Sequence, residues 1–391
     1  MNRKEFISRL GTIGAAAVAA PVIGSSNLRA SVSSFTEKKT RVGVIGCGSV
    51  SGVYLPHLTK CPYAEVVSLC DIKPERAQQR GKEFNVKNHY ANINDMLKGE
   101  PFDLLVNLTD MQQHGKLNRQ ALDAKKYVWS EKPMADTYEE GRRLYEYAIK
   151  QGVRIWGAPA VVNSPQFEFM AKQVKENKLG HLAAAHAHYG HQGPHWSAFF
   201  YEKDGGSLPD LGVYNISTLT GLFGPVTSLV AMTNIVNPVR NVDDKGRIEV
   251  VAEDNAMIIM EHKHSKVLSH IQCGFNYFDP YGHEGTGQER PTISIVGSEG
   301  NMHMIGYDWK PFGVDMATTQ NEKTQRFETD SKGFQWEEGA SVICEYLATG
   351  KEPRINAEHA LHVLEIIEAT RQSQSEGRRI QLKSAFNWPV V

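Results

Sequence analysis

The chain has 391 residues, 22% of them charged and 41% hydrophobic, and a formal net charge of −1 at pH 7. So balanced a charge excludes the basic footprint of a nucleic-acid binder or of a protein held on an anionic membrane surface. The length predicts two domains with sizeable cores, and the 5 cysteines (Cys47, Cys61, Cys70, Cys273, Cys344), lacking Cys-x-x-Cys spacing, read as small core residues without a disulfide framework.

Residues 1–30 read as an export signal. Arg3, Lys4 and Arg9 give a basic start, an alanine-rich apolar run covers 10–23, and a small polar stretch follows, with Ala30 as a cleavage position. The apolar run is short for a spanning helix, so no stable membrane insertion of the mature chain is expected. The stretch around Arg3 resembles a twin-arginine signal with Lys4 in place of the second arginine, and predicts a periplasmic protein.

Residues 40–157 alternate strand and helix, which predicts a parallel sheet covered on both faces. Val42, Val44 and Ile45 form a short buried-strand run, and Gly46, Gly48, Ser49, Val50 and Ser51 follow as Gly-x-Gly-x-x-Ser. Gly46 opens a tight turn, Gly48 lets backbone approach a ligand, and Ser51 is small enough for a helix over 50–58 to pack on the strand. The N-terminus of that helix would aim N–H groups at a pyrophosphate. A second strand over 65–70 ends on Asp71, about 20 residues past the glycines, where an acid binds adenosine ribose hydroxyls. Together these predict a dinucleotide-binding Rossmann domain. Asp71 favours NAD, and nearby Lys73 and Arg76 leave NADP open. Further helices are expected over 74–84, 94–98 (with Asn94 as cap), 112–124 and 137–151 (Thr137 and Glu140 as capping box), and strands over 103–108, 127–130 and 153–156. A dinucleotide enzyme outside the cytoplasm has no pool of free NAD, so its cofactor would travel with it and return to its starting redox state in each cycle.

Residues 158–391 change character. A helix over 165–177, a strand over 181–189 and an amphipathic helix over 210–222 precede strands over 227–236, 255–262, 267–276, 292–296 and 301–305. The expected architecture is an α+β domain with an open, largely antiparallel sheet, closed by a helix over 357–373 that returns to the first domain.

Two motifs carry chemistry. In Ser130-Glu131-Lys132-Pro133 the lysine would hang over the nicotinamide end of the cofactor, where an ammonium bonds a substrate hydroxyl and stabilises alkoxide character. Glu131 can orient it, and Pro133 can hold the turn through a cis bond. In Gly205-Gly206-Ser207-Leu208-Pro209-Asp210-Leu211-Gly212-Val213-Tyr214, Asp210 and Tyr214 lie four apart and would share a helix face. A neighbouring ammonium would lower the phenol toward a useful range. Read alone, the same residues are a helix cap and a packed core tyrosine.

The order Gly-Cys-Gly, Glu-Lys-Pro and Gly-Gly-x-x-x-Asp-x-Gly-x-Tyr resembles the glucose-fructose oxidoreductase / inositol dehydrogenase family, across nearly all of residues 40–382. Thr109…His114, the Glu358-His359-Ala360-Leu361 helix and Gly377-Arg378-Arg379 extend the likeness. The resemblance implies a Rossmann domain, a sheet domain whose open face mediates dimers or tetramers, and NAD(P) chemistry on sugars and polyols. By resemblance Lys132, Asp210 and Tyr214 form the catalytic set, and Thr109, His114 and Glu131 join the cofactor site. Asp110 replaces the proline common in the family after Thr109.

His186, His188, His191 and His195, with Trp196, crowd one segment. His186 and His188 point the same way on a strand. A sugar-binding wall of His188, His191 and Trp196 is favoured over a metal site, and Tyr277, Tyr281, His283 and Arg290 would extend it. The expected function is an exported sugar or glycoside oxidoreductase with tightly bound NAD, active as a homodimer or homotetramer through the open sheet. The alternatives are an NAD-dependent glycosidase working by transient oxidation at carbon 3 and elimination, and a non-catalytic sugar or nucleotide sensor.

Overall fold

The computed structural model describes residues 39–278 and 289–391. The expected export signal, Tyr281 and His283 lie outside those residues. The first sheet is built by β1 (Thr40–Ile45), β2 (Ala64–Cys70), β3 (Asn88–Tyr90), β4 (Leu104–Asn107), β5 (Tyr127–Ser130) and β6 (Ile155–Gly157). All pairs are parallel and the order is β3-β2-β1-β4-β5-β6, the doubly wound order that brings the ends of β1 and β4 together at a switch point. Val42, Val44, Leu104, Val106 and Trp129 are wholly buried, as strands covered on both faces require.

The helices between them start where local chemistry allows. They are α1 (Ser51–Lys60), α2 (Pro74–Phe84), α3 (Ile93–Lys98), α4 (His114–Asp123) and α5 (Tyr138–Gln151). Pro74 opens α2, and Asn85 in the left-handed region closes it. Asn92, not Asn94, caps α3: its side chain accepts from the Asp95 N–H. Thr137 accepts from the Glu140 N–H at 3.2 Å, while the Glu140 carboxylate reaches back to the Asp136 N–H at 3.2 Å, one residue earlier than a strict capping box.

The second sheet is larger than expected. After α6 (Pro165–Lys175) come β7 (Leu182–Gly190), α7 (Val213–Phe223), β8 (Val226–Asn234), and a separate hairpin of β9 (Val239–Val242) and β10 (Gly246–Glu249). Next are β11 (Asn255–His262), β12 (Leu268–Gly274), β13 (Pro291–Gly297), β14 (Gly300–Tyr307), β15 (Lys310–Thr318) and β16 (Asn321–Phe327). Last are α8 (Gly339–Thr349), α9 (Ala357–Glu376) and β17 (Ile380–Gln381). Among the described residues nine strands run β16-β15-β14-β13-β7-β12-β11-β8-β17, antiparallel except for the parallel pair of β7 and β12. β16 was missed because Asn321-Glu-Lys-Thr-Gln-Arg is an exposed polar edge strand, and such edges carry charge instead of an apolar alternation.

One face of this sheet packs under α7, every residue of which is buried. Ala185, Ala187, Ile258, Ile271, Ile293 and Met302 point there. The other face carries exposed Val230, Met232, Met257, Ile259, Leu268 and Val296. α9 packs its Leu361 and Leu364 against Gly141 of α5, where a Cβ would stand 2.8 Å from the Leu361 side chain. Among the described residues no helix is long and apolar enough to cross a membrane.

Candidate active site

The nucleotide loop begins where β1 ends. Gly46 turns with φ of 89°, and a Cβ there would lie 2.5 Å from the Leu108 carbonyl carbon and oxygen, so glycine is required twice over. At Gly48 the nearest atom to a Cβ would be Arg76 Nη1 at 3.7 Å, which leaves that backbone approachable. Ser49 is exposed and Val50 half-buried. Ser51 is fully buried: its Oγ donates to the Gly48 carbonyl at 2.6 Å and accepts from Arg80 Nε at 3.1 Å. Arg80 Nη2 also donates to the Gly48 carbonyl at 3.3 Å. Arg80 thus braces the loop from α2, a role the sequence signalled only as an arginine four residues after Arg76 on one helix face.

Asp71 at the end of β2 is nearly buried. Its Oδ2 accepts from the Cys47 N–H and its Oδ1 from the Lys73 N–H, both at 2.8 Å. Each oxygen keeps a second lone pair for a ribose hydroxyl. Ile72 beside it is 87% exposed and offers an apolar platform. Loop, helix N-terminus, buried acid and open glycine together fit a dinucleotide.

At the end of β4, Thr109 is half-buried and donates to Asn107 Oδ1 at 2.7 Å. His114 does not reach toward a ligand as expected. It is 1% exposed, with Nδ1 2.6 Å from the Pro133 carbonyl and Nε2 2.9 Å from the Thr109 carbonyl. Both partners only accept, so both contacts are hydrogen bonds only in the imidazolium form. Burial pushes the ring below the ordinary histidine range, so the neutral ring donates to one carbonyl at a time. His114 is therefore a brace between the Thr109 loop and Pro133.

Glu131 is likewise engaged within the protein. Tyr54 Oη donates to its Oε1 at 2.5 Å, and the Lys132 N–H donates to its Oε2 at 3.0 Å. Trp129 Nε1 in turn donates to Tyr54 Oη at 3.1 Å. The Lys132–Pro133 bond is cis. This platform sends Lys132 across to the second domain, where Nζ donates to Asp210 Oδ1 at 2.7 Å and to the Asp210 carbonyl at 2.8 Å. The two side chains are 10% and 14% exposed, so the pair is screened from most solvent yet reachable.

Asp210 does not sit on a regular α-helix with Tyr214. Leu208–Gly212 is one turn of wider helix, in which the Val213 N–H reaches back to the Leu208 carbonyl, and the α-helix starts only at Val213. Such widened turns carry an extra residue and re-aim side chains. Here Asp210 points to Lys132, while Tyr214 lies beneath, its ring centroid 5.2 Å from Lys132 Nζ. Tyr214 presents its π-face to the ammonium. The expectation of a lowered phenol is reversed: burial pushes Tyr214 well above the ordinary tyrosine range, and Glu131, Tyr189, Asp210 and Asp308 add to the effect.

The expected sugar wall divides. Tyr189 packs toward Tyr214 at 6.1 Å, so on the same strand His186 and His188 point to the opposite, open face of the sheet, away from Lys132. The misplacement follows from period-two alternation, whose phase the sequence did not reveal. His191 is buried with its ring 6.1 Å from that of Tyr189. Trp196 is 37% exposed and packs on Phe200 at 5.5 Å. Its loop is tied to the Rossmann domain by Gln112, whose Nε2 donates to the Phe199 and Lys203 carbonyls at 2.9 and 3.1 Å. Arg290 donates to Tyr307 Oη at 3.2 Å, and Tyr277 to Asn255 Oδ1 at 2.7 Å. Among the described residues no three His, Cys, Asp or Glu side chains converge as metal ligands, and all five cysteines are free thiols.

Residues 40–158 match the model of an oxidoreductase family with NAD-binding Rossmann fold, and residues 171–382 that of the same family's C-terminal α/β domain. The chain belongs to the glucose-fructose oxidoreductase / inositol dehydrogenase family. It is 25% identical over 364 residues to D-apiose dehydrogenase of Paraburkholderia graminis, covering 90% of this chain and 92% of that protein. It is 22% identical over 359 residues to scyllo-inositol 2-dehydrogenase (NADP(+)) of Bacillus subtilis, covering 88% and 96%. Aldose-aldose oxidoreductase of Caulobacter crescentus, solved with glycerol, superposes with a TM-score of 0.74 at 18% identity, over 88% of this chain and 100% of that one. Membership in this oxidoreductase family makes the chain an NAD(P)-dependent enzyme whose first domain is the NAD-binding one.

Proposed function

We propose that this family member oxidises a secondary hydroxyl, or reduces the matching carbonyl, of a sugar or polyol, with Lys132 and Asp210 as the proton-transfer pair. The observation that carries the reading is the Lys132–Asp210 contact at 2.7 Å, placed where the ends of the parallel strands meet the second domain. Its relatives' names, D-apiose and scyllo-inositol dehydrogenase, support neutral polyhydroxylated substrates. NAD+, when bound, supplies the hydride acceptor, and the negative charge of Asp71 at the ribose site supports NAD over NADP.

The chain's own residues handle the proton. The Lys132 ammonium approaches the substrate oxygen and stabilises negative charge as it develops there. Lys132 passes a proton to Asp210 Oδ1 and takes the hydroxyl proton onto Nζ, so that it ends charged and Asp210 ends neutral. Reduction runs the same transfers backwards. Tyr214 holds the ammonium by its ring face and transfers no proton. Trp196 gives an aromatic face for the C–H groups of a sugar.

In the same reading residues 1–30 direct export, which is supported by their basic start and apolar run, and the cofactor stays bound while a second carbonyl compound resets it. Two copies pair through the open sheet face, whose exposed Met232, Ile259 and Leu268 lie among His186, His270 and His303. Purified protein mixed with free sugars and aryl glycosides, with nicotinamide absorbance and aryl release followed together, tests the proposal. Reduced nicotinamide without aryl release supports it. Catalytic aryl release with no net cofactor change would make the chain a glycosidase, and no reduction of bound nucleotide by any sugar would make it a sensor.

A further inference from the structure

We infer that Glu253 is a positioning residue for Asp210: its ionised carboxylate holds the first turn of the helix that presents Asp210 to Lys132. The inference rests on the reading of Lys132 and Asp210 above. Glu253 stands at the entry to β11, remote in sequence from the Gly205-Gly206 motif, and no local capping pattern announces it.

Its carboxylate takes three hydrogen bonds from the start of that helix. Oε2 accepts from the Ser207 N–H at 3.2 Å and Ser207 Oγ at 2.6 Å, and Oε1 accepts from the Leu208 N–H at 2.9 Å. The Glu253 carbonyl takes the Ser207 N–H as well, at 3.0 Å. N–H groups in the first turn of a helix have no partner within it, and a negative group there also meets the positive end of the dipole. Gly206 explains the room: its φ is 121°, and a Cβ would run into Glu253 Oε1. From the other side Arg371 of α9 donates to the Gly205 carbonyl at 3.0 Å. The glycine pair is thus where a carboxylate enters to fix the turn that aims Asp210.

The two backbone N–H groups can only donate, whereas Ser207 Oγ can also accept. Protonating Oε2 turns the Ser207 Oγ contact round and leaves the Ser207 N–H to the Glu253 carbonyl alone, and protonating Oε1 sets an O–H against the Leu208 N–H; either way the charge-assisted hold on the first turn is lost. The groups around Glu253 are Arg371 from α9, itself near Asp204, Cys273 from β12, and Tyr277 just beyond it. Cys273 and Tyr277 are both pushed up by burial and stay neutral. Burial raises Glu253 to about 7, against the pull of its hydrogen bonds and Arg371. The turn is therefore firmly held above that pH and loosened below it.

The test uses the full chain with bound NAD. In Glu253→Gln one acceptor is lost at every pH, so kcat should fall about tenfold at pH 8, consistent with a small displacement of a catalytic group. The acid limb of kcat near pH 7 should disappear, with NAD occupancy unchanged. Ser207→Ala removes a bond that favours the ionised form, so it should move the limb to higher pH. An infrared titration of the protonated-carboxyl band, with a midpoint near 7 in the parent and absent from Glu253→Gln, reads the same group without turnover. A limb unmoved in both variants, or no carboxyl band lost, overturns the inference. Absence of turnover in the parent overturns the sugar reading alone, because the infrared titration still reports on Glu253.

Discussion

Gly46 and Gly48 stand two residues apart and are required for different reasons, so alanine at each should damage a different property. Gly46→Ala places a side chain at φ of 89° and sets its Cβ 2.5 Å from the Leu108 carbonyl carbon and oxygen and 2.8 Å from the Thr109 nitrogen. The dihedral costs on the order of 1–3 kcal/mol. The overlap is with backbone, which cannot rotate aside, and adds about 1–3 kcal/mol. Together a loss of about 2–6 kcal/mol corresponds to a fall in Tm of roughly 3–8 °C for a chain of this size. Gly48→Ala meets nothing closer than Arg76 Nη1 at 3.7 Å and has ordinary φ. Its Tm should stay within about 2 °C of the parent, whereas NAD affinity should fall about a hundredfold, near 2.8 kcal/mol, because the methyl stands where the pyrophosphate approaches. Thermal unfolding of the nucleotide-free proteins and calorimetric NAD titration separate the two. Equal destabilisation by both substitutions, or unimpaired NAD binding by Gly48→Ala, would refute the assignment of the loop.

Four further outcomes are expected. Lys132→Met should lower kcat by at least about a thousandfold with NAD still bound, whereas Tyr214→Phe should cost less than about tenfold, since the buried hydroxyl holds its proton; comparable losses in steady-state kinetics would restore Tyr214 as an acid–base group. His188→Ala should leave kcat/KM unchanged because the side chain is on the open face, and Ile259→Glu, on that face too, should yield monomers in sedimentation without loss of NAD binding. Asp308 is 1% exposed, and burial raises it from 3.8 to about 6. The folded chain thus binds this proton more tightly than the unfolded one, and the associated stability is present below about pH 4 and lost as pH rises through 6. Asp308→Asn should match the parent near pH 4 and exceed it at pH 7 by on the order of 2–3 kcal/mol in denaturant unfolding; no difference between the two pH values would contradict the raised carboxyl.

Some of this was legible because the signal is local. A strand ending in Gly46-Cys-Gly48, an acid at Asp71 and alternating helices specify a dinucleotide fold through steric and hydrogen-bonding rules that act within a few residues. The position of Lys132 just past a strand end was legible, and ligands on parallel sheets gather at such carboxyl ends. Strand β16 was hidden because a charged edge strand has no buried face to mark it.

What the tertiary structure alone decided are the relations between distant segments. The phase of β7 put Tyr189 toward the site and His188 away from it, because its neighbours in the sheet fix which side meets α7. The widened turn at Leu208–Gly212 separated Asp210 from Tyr214, giving Lys132 a carboxylate beside it and an aromatic face beneath. Arg80, Tyr54 and Glu253 act through partners 29, 77 and 46 residues away. The amino-acid sequence by itself determined the fold class and the nucleotide loop, since these rest on periodicity and backbone sterics. The Lys132–Asp210 contact depends on hydrogen bonds closed only when the two domains pack, and no local pattern encodes those.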